Sequence, residues 1–108
     1  MEIREYIDAS GRNPYNRWIS RLDTIAARRI DSALFQMRSG NLSNARNVGR
    51  GVSEYRINFG PGYRIYFGRD GNTLIILLGG GTKSRQPRDI QNAHVLWQEY
   101  RRRKRQES

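Results

Sequence analysis

Hydrophobic residues recur at helical spacing in the N-terminal part of the chain. Asn13 followed by Pro14 is a typical helix start, because Asn caps the free backbone amides and Pro fits the first helical position. The apolar positions of this helix form one stripe: Tyr15, Trp18, Ile19 and Leu22. Asp23 can cap a second helix that Gly40 closes. Its apolar positions are Ile30, Ala33, Leu34 and Met37. The pattern predicts a helical hairpin, preceded by a strand over residues 1–7.

Beyond a polar segment, 41–51, that we predict to be irregular, the pattern changes to the period of two that is typical of strands. The first such strand is predicted over 52–59, with alternating apolar and polar residues. Gly60-Pro61-Gly62 predicts a turn into a second strand over 63–67, and residues 70–72 predict another turn. Residues 73–78 are apolar on both faces, as in a central strand, and we expect the glycines at 79–81 to end it.

A last helix is predicted from Pro87, with Asp89 in its first turn, where an acidic side chain is favourable. Its apolar stripe is Ile90, Ala93, Trp97 and Tyr100. The element order β-α-α-β-β-β-α predicts one α+β domain over residues 1–108. We expect a small antiparallel sheet, an N-terminal helical hairpin on one face and a C-terminal helix.

The register of the predicted hairpin decides which polar side chains lie together. If Phe59 pairs with Tyr63, then Asn58 faces Arg64 and Arg56 faces Tyr66. A one-residue slip would bury the arginines, which their desolvation cost opposes. Five polar side chains then share one face: Glu54, Arg56, Asn58, Arg64 and Tyr66. This face is either an ordinary solvated sheet surface or a surface that binds a phosphate and a stacked base.

The net charge of the chain indicates the class of its partner. Twenty Lys and Arg residues against ten Asp and Glu give a formal charge of +10, and a small domain this basic usually binds a polyanion. Only Lys83 and Lys104 are lysines, so most cations are arginines, which grip phosphate with two parallel hydrogen bonds. A genome-wide preference for Arg codons is the alternative explanation of this bias. Lys83 stands out under either explanation.

Several classes of site and location are excluded or disfavoured by the residues present. With no cysteine and one histidine, zinc sites and disulfides are not expected. The glycine-rich stretch 79–84 departs from the phosphate-loop pattern, because Thr82 precedes Lys83 and no glycine lies five residues before Thr82. The N-terminus has no apolar signal segment and the longest apolar run, 74–78, is short, so we expect a cytoplasmic protein. We interpret His94 as a packed or half-exposed helix residue and both tryptophans as core.

Three segments in this order resemble the RelE/HigB superfamily of type II toxins, in its phage-related addiction module killer branch. They are Gly51-Val52-Ser53-Glu54-Tyr55-Arg56-Ile57, Gly60-Pro61-Gly62-Tyr63-Arg64-Ile65-Tyr66-Phe67 and Gly79-Gly80-Gly81-Thr82-Lys83-Ser84. With Asp89-Ile90 and the Leu96-Trp97 helix, the resemblance covers nearly the whole chain. It implies a RelE-like fold and an mRNA interferase that needs no cofactor or metal. The implied partners are mRNA in the ribosomal A site, a HigA-like helix-turn-helix antitoxin and, only through that antitoxin, operator DNA; no membrane is implied.

The resemblance also implies roles for individual residues. Arg64 matches the arginine that binds the phosphate and its transition state, and Arg56 matches a basic residue on the preceding strand. Lys83 matches the basic residue after the last strand, and Asn58 stands where some members have a second lysine. The family's catalytic Tyr or His near the C-terminus has no match here. The sheet face, the basic residues and the resemblance together give Arg64, Arg56, Lys83 and Glu54 as predicted catalytic residues, and Arg85, Asn58, Tyr66 and Arg88 as predicted RNA-binding residues.

The expected chemistry is attack of an RNA 2′-OH on the neighbouring phosphate, giving a 2′,3′-cyclic phosphate and a free 5′-OH. Arg64 and Arg56 would stabilise the charge on the phosphate oxygens, and Lys83 would act as acid or base. Glu54 and Asp89 are the carboxylate candidates for the base. Two alternatives stay open: a ParE-like toxin of the same fold that binds DNA gyrase, and a non-catalytic RNA-binding module.

Overall fold

A five-stranded mixed sheet with helices on both faces forms the fold. The computed structural model describes residues 1–107. The strands are β1 (Glu2–Glu5), β2 (Ala45–Asn47), β3 (Val52–Ile57), β4 (Tyr63–Asp70) and β5 (Leu74–Thr82). The helices are α1 (Pro14–Ile19), α2 (Thr24–Arg38) and α3 (Gln86–Glu107), with a short 3-10 turn (Lys83–Arg85) before α3. No helix within residues 1–107 is long and apolar enough to cross a membrane.

The order of strands across the sheet is β1-β5-β4-β3-β2. Neighbouring strands from β2 to β5 are antiparallel, as predicted, but β1 lies parallel to β5. The expectation of a purely antiparallel sheet is therefore wrong at this edge. The helical hairpin between β1 and β2 carries the chain away from the sheet, so β1 can occupy the edge beside β5 in either direction, and strand patterning alone does not report which.

The two predicted helix starts are confirmed by their side-chain caps. The Asn13 side chain accepts a hydrogen bond from the Asn16 backbone N–H at 3.0 Å, and the Asp23 side chain accepts one from Ala26 at 2.8 Å. Both helices lie against one face of the sheet. The core on that face includes Tyr15, Ile30, Met37, Tyr55, Ile65, Phe67, Ile75 and Leu77.

The last helix, α3, covers the opposite face of the sheet and creates a second core there. That core comprises Tyr6, Val52, Tyr66, Ile76, Leu78, Ala93 and Trp97. Both faces of β5 are therefore buried, as its continuous apolar run predicts. The packed position predicted for His94 is also confirmed, because its Nε2 lies 3.0 Å from the Val48 carbonyl oxygen. Trp97 is buried, and Trp18 packs as a partly buried residue against the first core.

One strand lies in a segment predicted to be irregular. Residues 45–47 form β2, in which Arg46 pairs with Glu54 of β3. Three residues are too few to establish an alternation of apolar and polar side chains, so the sequence pattern could not reveal this strand.

The predicted register of the hairpin between β3 and β4 is wrong by two residues. Ile57 pairs with Tyr63, Arg56 with Arg64 and Glu54 with Tyr66. β3 ends at Ile57, and the loop that follows closes through a hydrogen bond from the Gly62 N–H to the Phe59 carbonyl. The connection therefore spans five residues and not three. Because side chains alternate with a period of two, this shift changes the pairs but leaves every residue on its predicted face.

The glycines at 79–81 do not end β5, which continues to Thr82. A Cβ atom at Gly80 would overlap the Trp18 ring, and one at Gly81 would overlap the Asp89 carboxylate. These glycines stay in the strand because helices approach its backbone closely on both faces. The strand also bulges where its register with β4 shifts between Tyr66 and Phe67.

Candidate nucleic-acid interface

A fully buried glutamate organises the polar face of the sheet under the start of α3. Glu54 is 0% exposed. Its Oε1 accepts a hydrogen bond from Arg46 Nε at 2.7 Å, and its Oε2 accepts one from Gln86 Nε2 at 2.7 Å. Both carboxylate oxygens are thus engaged by neighbouring elements, β2 and α3, and Glu54 holds these elements together.

Arg64 lies beside this glutamate with almost no exposure to solvent. Its side chain is 3% exposed, and its Nε is 4.0 Å from Glu54 Oε1. One terminal nitrogen donates to the Tyr63 carbonyl at 3.2 Å. Nε has no hydrogen-bond partner among residues 1–107. A buried guanidinium with one long ion pair and a free N–H is incompletely neutralised.

The predicted solvent-facing sheet surface is only partly open. Glu54, Arg64 and Tyr66 are buried; Gln86 at the start of α3 bonds Glu54, and Tyr66 belongs to the core under α3. Arg56 and Asn58 are exposed and line a shallow hollow of about 330 Å³ beside Arg46. Arg56, Asn58 and Arg46 thus form an exposed basic rim beside the buried group of Glu54, Arg64 and Tyr66. The alternation of residues fixed the shared face, but the position of α3 over it depends on tertiary packing.

Lys83 reaches the same region from the end of β5. Its backbone N–H donates to the Gly62 carbonyl at 2.8 Å. A Cβ atom at Gly62 would lie 3.4 Å from Lys83 Cβ and 3.5 Å from a terminal nitrogen of Arg64. Lys83 and Arg64 therefore lie close to the same glycine, each at van der Waals distance from a Cβ placed at Gly62.

Two further buried polar atoms lie near the start of α3. The Tyr66 hydroxyl and Asp89 Oδ2 have no hydrogen-bond partner in the described part of the chain. Burial raises the pKa of the Tyr66 phenol well above its ordinary value, with the charges of Glu54 and Asp89 adding to the shift. Burial also raises the pKa of Asp89, against the opposing effect of Arg85 and Arg88. In both groups burial thus disfavours the charged form.

The remaining predicted RNA-binding residues lie at the start of α3. Arg85 and Arg88 are exposed, and Arg85 lines a cleft together with Asp89. Sequence reasoning missed Arg46 and Gln86, which hold Glu54, because neither belongs to a recognisable motif. Within residues 1–107, no group of three or more Asp, Glu or His side chains lies close enough to hold a metal ion.

Comparison with known proteins identifies a relative in Haemophilus influenzae that is described as an uncharacterized protein. It is 37% identical to this chain over 86 residues, which cover 79% of this chain and 87% of the relative. No family model matches the chain. No solved structure matches it.

Proposed function

This chain belongs to the same protein family as its Haemophilus influenzae relative, and we propose that it is the toxin of a type II toxin–antitoxin pair. In this proposal it is an endoribonuclease of the RelE/HigB kind that cuts mRNA at the ribosome. The similarity of the sequence motifs supports the class, and the arrangement of charges on β3 and β4 supports the chemistry.

The observation that carries the proposal is the direct pairing of Arg56 with Arg64 across the two strands. Like charges placed directly opposite each other destabilise a sheet. Arg64 is buried, so its repulsion is weakly screened by solvent. Glu54 is shared with Arg46 and lies 4.0 Å from Arg64. Such an excess of guanidinium groups suits an anionic ligand, and a phosphodiester fits their donor geometry.

The proposed reaction is a transesterification within one RNA strand. The 2′-oxygen forms a bond to phosphorus as the bond to the 5′-oxygen breaks. The 2′-OH proton leaves to a solvent water molecule, and the 5′-oxygen receives a proton from an acid. The exposed Arg56 donates to the nonbridging oxygens and stabilises the charge that builds there, and the buried Arg64 contributes through its positive charge. Lys83 is the exposed titratable side chain beside Arg64, and we assign proton transfer at the 5′-oxygen to it.

Glu54 has a positioning role in this proposal and does not act as the base. Both of its oxygens accept hydrogen bonds and the residue is fully buried, so it cannot approach a 2′-OH in this arrangement. It instead fixes Arg46 and orients Arg64. The antitoxin partner in this proposal is an acidic surface of a helix-turn-helix protein that covers the basic rim.

The test is a short pulse of expression in cells followed by primer extension on a reporter mRNA. We expect cuts within translated codons for the wild-type chain. Arg56→Ala removes an exposed side chain and should preserve the fold, yet it should reduce cleavage about 100-fold, in the range seen when one transition-state donor is lost. Arg64→Lys keeps a buried charge and should also reduce cleavage. Arg28→Ala, an exposed position on α2, is the matched control and should cleave as the wild type does.

Two results would contradict the proposal. Growth arrest with intact mRNA would point to a binding target such as gyrase, the alternative that the fold class also allows. Folded Arg56→Ala and Arg64→Lys variants that cut at the wild-type rate would remove these arginines from the reaction. Salt-dependent RNA binding without any cleavage product would contradict the nuclease activity and support a non-catalytic RNA-binding module.

A further inference from the structure

We infer that a cleft between α1 and the start of α3 binds one RNA nucleotide and favours a base that carries an exocyclic amino group. The cleft has a volume of about 380 Å³. It is lined by Arg17, Trp18, Arg21, Gly80, Gly81 and Thr82, with Pro14, Arg85 and Asp89. The inference deepens the proposed function and rests on it in taking RNA as the ligand.

The cleft exists because the second half of β5 lacks a neighbour on one side. β1 pairs with β5 only from Leu74 to Leu77. Beyond that point β5 continues to Thr82 without β1 beside it, and Trp18 and Asp89 pack against Gly80 and Gly81 at this edge. Gly81 is the register partner of Arg64 on β4, so the cleft lies one strand away from the proposed phosphate site. A nucleotide bound here would adjoin the phosphate held by Arg64.

Three arginines at the cleft give it the charge that a nucleotide phosphate requires. Arg17, Arg21 and Arg85 are exposed, and none of them forms an ion pair with a carboxylate in the described part of the chain. They come from two different elements, α1 with the residues after it and the 3-10 turn, and converge on one opening. Trp18 lines the same opening with a partly exposed indole, which offers an apolar surface to a base.

Asp89 is the carboxylate among these cations, and it decides which base fits. It lies against Gly81, and its buried Oδ2 has no hydrogen-bond partner within residues 1–107. An ionised carboxylate only accepts hydrogen bonds. Adenine, cytosine and guanine present an amino group that can donate, whereas the single N3–H of uracil lies between two carbonyl oxygens that a carboxylate repels. The cleft should therefore disfavour uracil.

A second chamber behind the cleft supports the same orientation of the base. It has a volume of about 100 Å³ and shares Pro14, Gly80 and Asp89 with the cleft. Tyr66 is among the residues that line it, and the hydroxyl of Tyr66 also lacks a partner in the described chain. Tyr66 and Asp89, which carry polar atoms without partners in the described chain, line this chamber, whereas Arg17, Arg21 and Arg85 line only the cleft. This division matches a nucleotide that enters base first and leaves its phosphate at the opening.

Binding of short labelled RNA by fluorescence anisotropy tests the inference without requiring cleavage. The probes are 2′-O-methyl tetranucleotides of adenine, cytosine or uracil, because the methyl group blocks attack by the 2′-oxygen. We expect the adenine and cytosine probes to bind about tenfold more tightly than the uracil probe, the effect of one good hydrogen bond. Asp89→Asn should abolish this preference, because an amide can donate to a carbonyl as well as accept. Asp31→Asn, an exposed position on α2, should leave it unchanged.

Arg21→Gln provides a second variant that does not depend on Asp89. It should weaken the binding of all three probes by a similar factor. Arg28→Gln on α2 removes one charge away from the cleft and should change the binding only slightly. Equal binding of the three probes by the wild-type chain would overturn the inference, as would an unchanged preference in a folded Asp89→Asn variant. A base preference without mRNA cleavage would support nucleotide binding in the cleft and contradict the proposed nuclease activity. Cleavage without a base preference would remove the cleft alone.

Discussion

The two ends of α3 cover the same face of the sheet but differ in how their buried polar groups are satisfied. At the C-terminal end the Tyr6 hydroxyl donates to Glu99 at 2.5 Å, and the Tyr100 hydroxyl donates to Asp70 at 2.5 Å. Lys104 pairs with the same Asp70. At the N-terminal end three buried polar atoms have no partner among the described residues: Arg64 Nε, Tyr66 Oη and Asp89 Oδ2.

The C-terminal end of α3 therefore attaches the helix to the sheet, whereas the N-terminal end has the character of a binding surface. Partnered polar groups around stacked aromatic rings, such as Trp97 and Tyr100 with centroids 5.0 Å apart, fix the helix on the sheet. Unpartnered polar groups cost stability, and they recur where a protein keeps groups ready for a ligand. We therefore expect substitutions at the C-terminal end to change mainly stability, and those at the N-terminal end to change mainly binding.

The largest effect on stability is expected from Trp97→Ala. Trp97 is 5% exposed and fills the space over Gly68, where a Cβ atom would overlap its ring. Loss of this side chain should lower the free energy of unfolding by about 3–5 kcal/mol. Urea denaturation measures the change. Val95→Ala on the same helix is the control, since Val95 is 64% exposed and its loss should cost no more than about 0.5 kcal/mol. Equal losses for the two variants would show that Trp97 does not fasten the helix.

The sequence predicts the elements of the fold better than their pairing. Caps at Asn13 and Asp23, a period of two along β3 and a doubly apolar β5 are local signals, and each is confirmed. The direction of β1 and the two-residue shift of the hairpin are set by loops, and loop lengths left more than one pairing compatible with the same faces.

The candidate site follows the same division. Alternation places Glu54, Arg64 and Tyr66 on one face, and the structure brings them together. The alternation of residues cannot show that Gln86 contacts Glu54, because that contact joins residues 32 positions apart. From the local sequence, the glycines at 79–81 predict the end of a strand. Trp18 and Asp89, from distant parts of the chain, approach the strand so closely that glycine is required inside it.

A pair of Tyr→Phe substitutions compares the two ends directly and should have smaller effects. Tyr100→Phe removes a hydrogen bond to the Asp70 carboxylate and should lower the free energy of unfolding by about 1–2 kcal/mol. Tyr66→Phe removes a buried hydroxyl that has no partner in the described chain, so stability should stay within about 0.5 kcal/mol or rise. Thermal and urea unfolding measure both. A loss for Tyr66→Phe as large as that for Tyr100→Phe would contradict the difference between the ends.

The smallest and most specific contrast concerns the pH dependence of stability at Asp70 and Asp89. Hydrogen bonds from Lys104 and then Tyr100 lower the pKa of Asp70 in the folded protein. Its stabilising effect is therefore present above about pH 3.9, the pKa of an unperturbed Asp, and is lost as the pH falls through the lowered folded value. Asp70→Asn should destabilise the protein at neutral pH, and this loss should shrink in acid.

Asp89 should behave in the opposite sense, because burial raises its pKa in the folded protein. The ionised carboxylate then opposes folding at any pH above the raised folded value. This opposition fades as the pH falls and is gone below about pH 3.9, where the unfolded chain is protonated as well. Asp89→Asn should thus stabilise the protein at neutral pH and have no effect in acid. Urea unfolding of both variants across this pH range measures the two curves. If both substitutions changed the free energy of unfolding in the same direction, the Asp89 carboxylate would be held by partners as that of Asp70 is, and would not be free for a ligand.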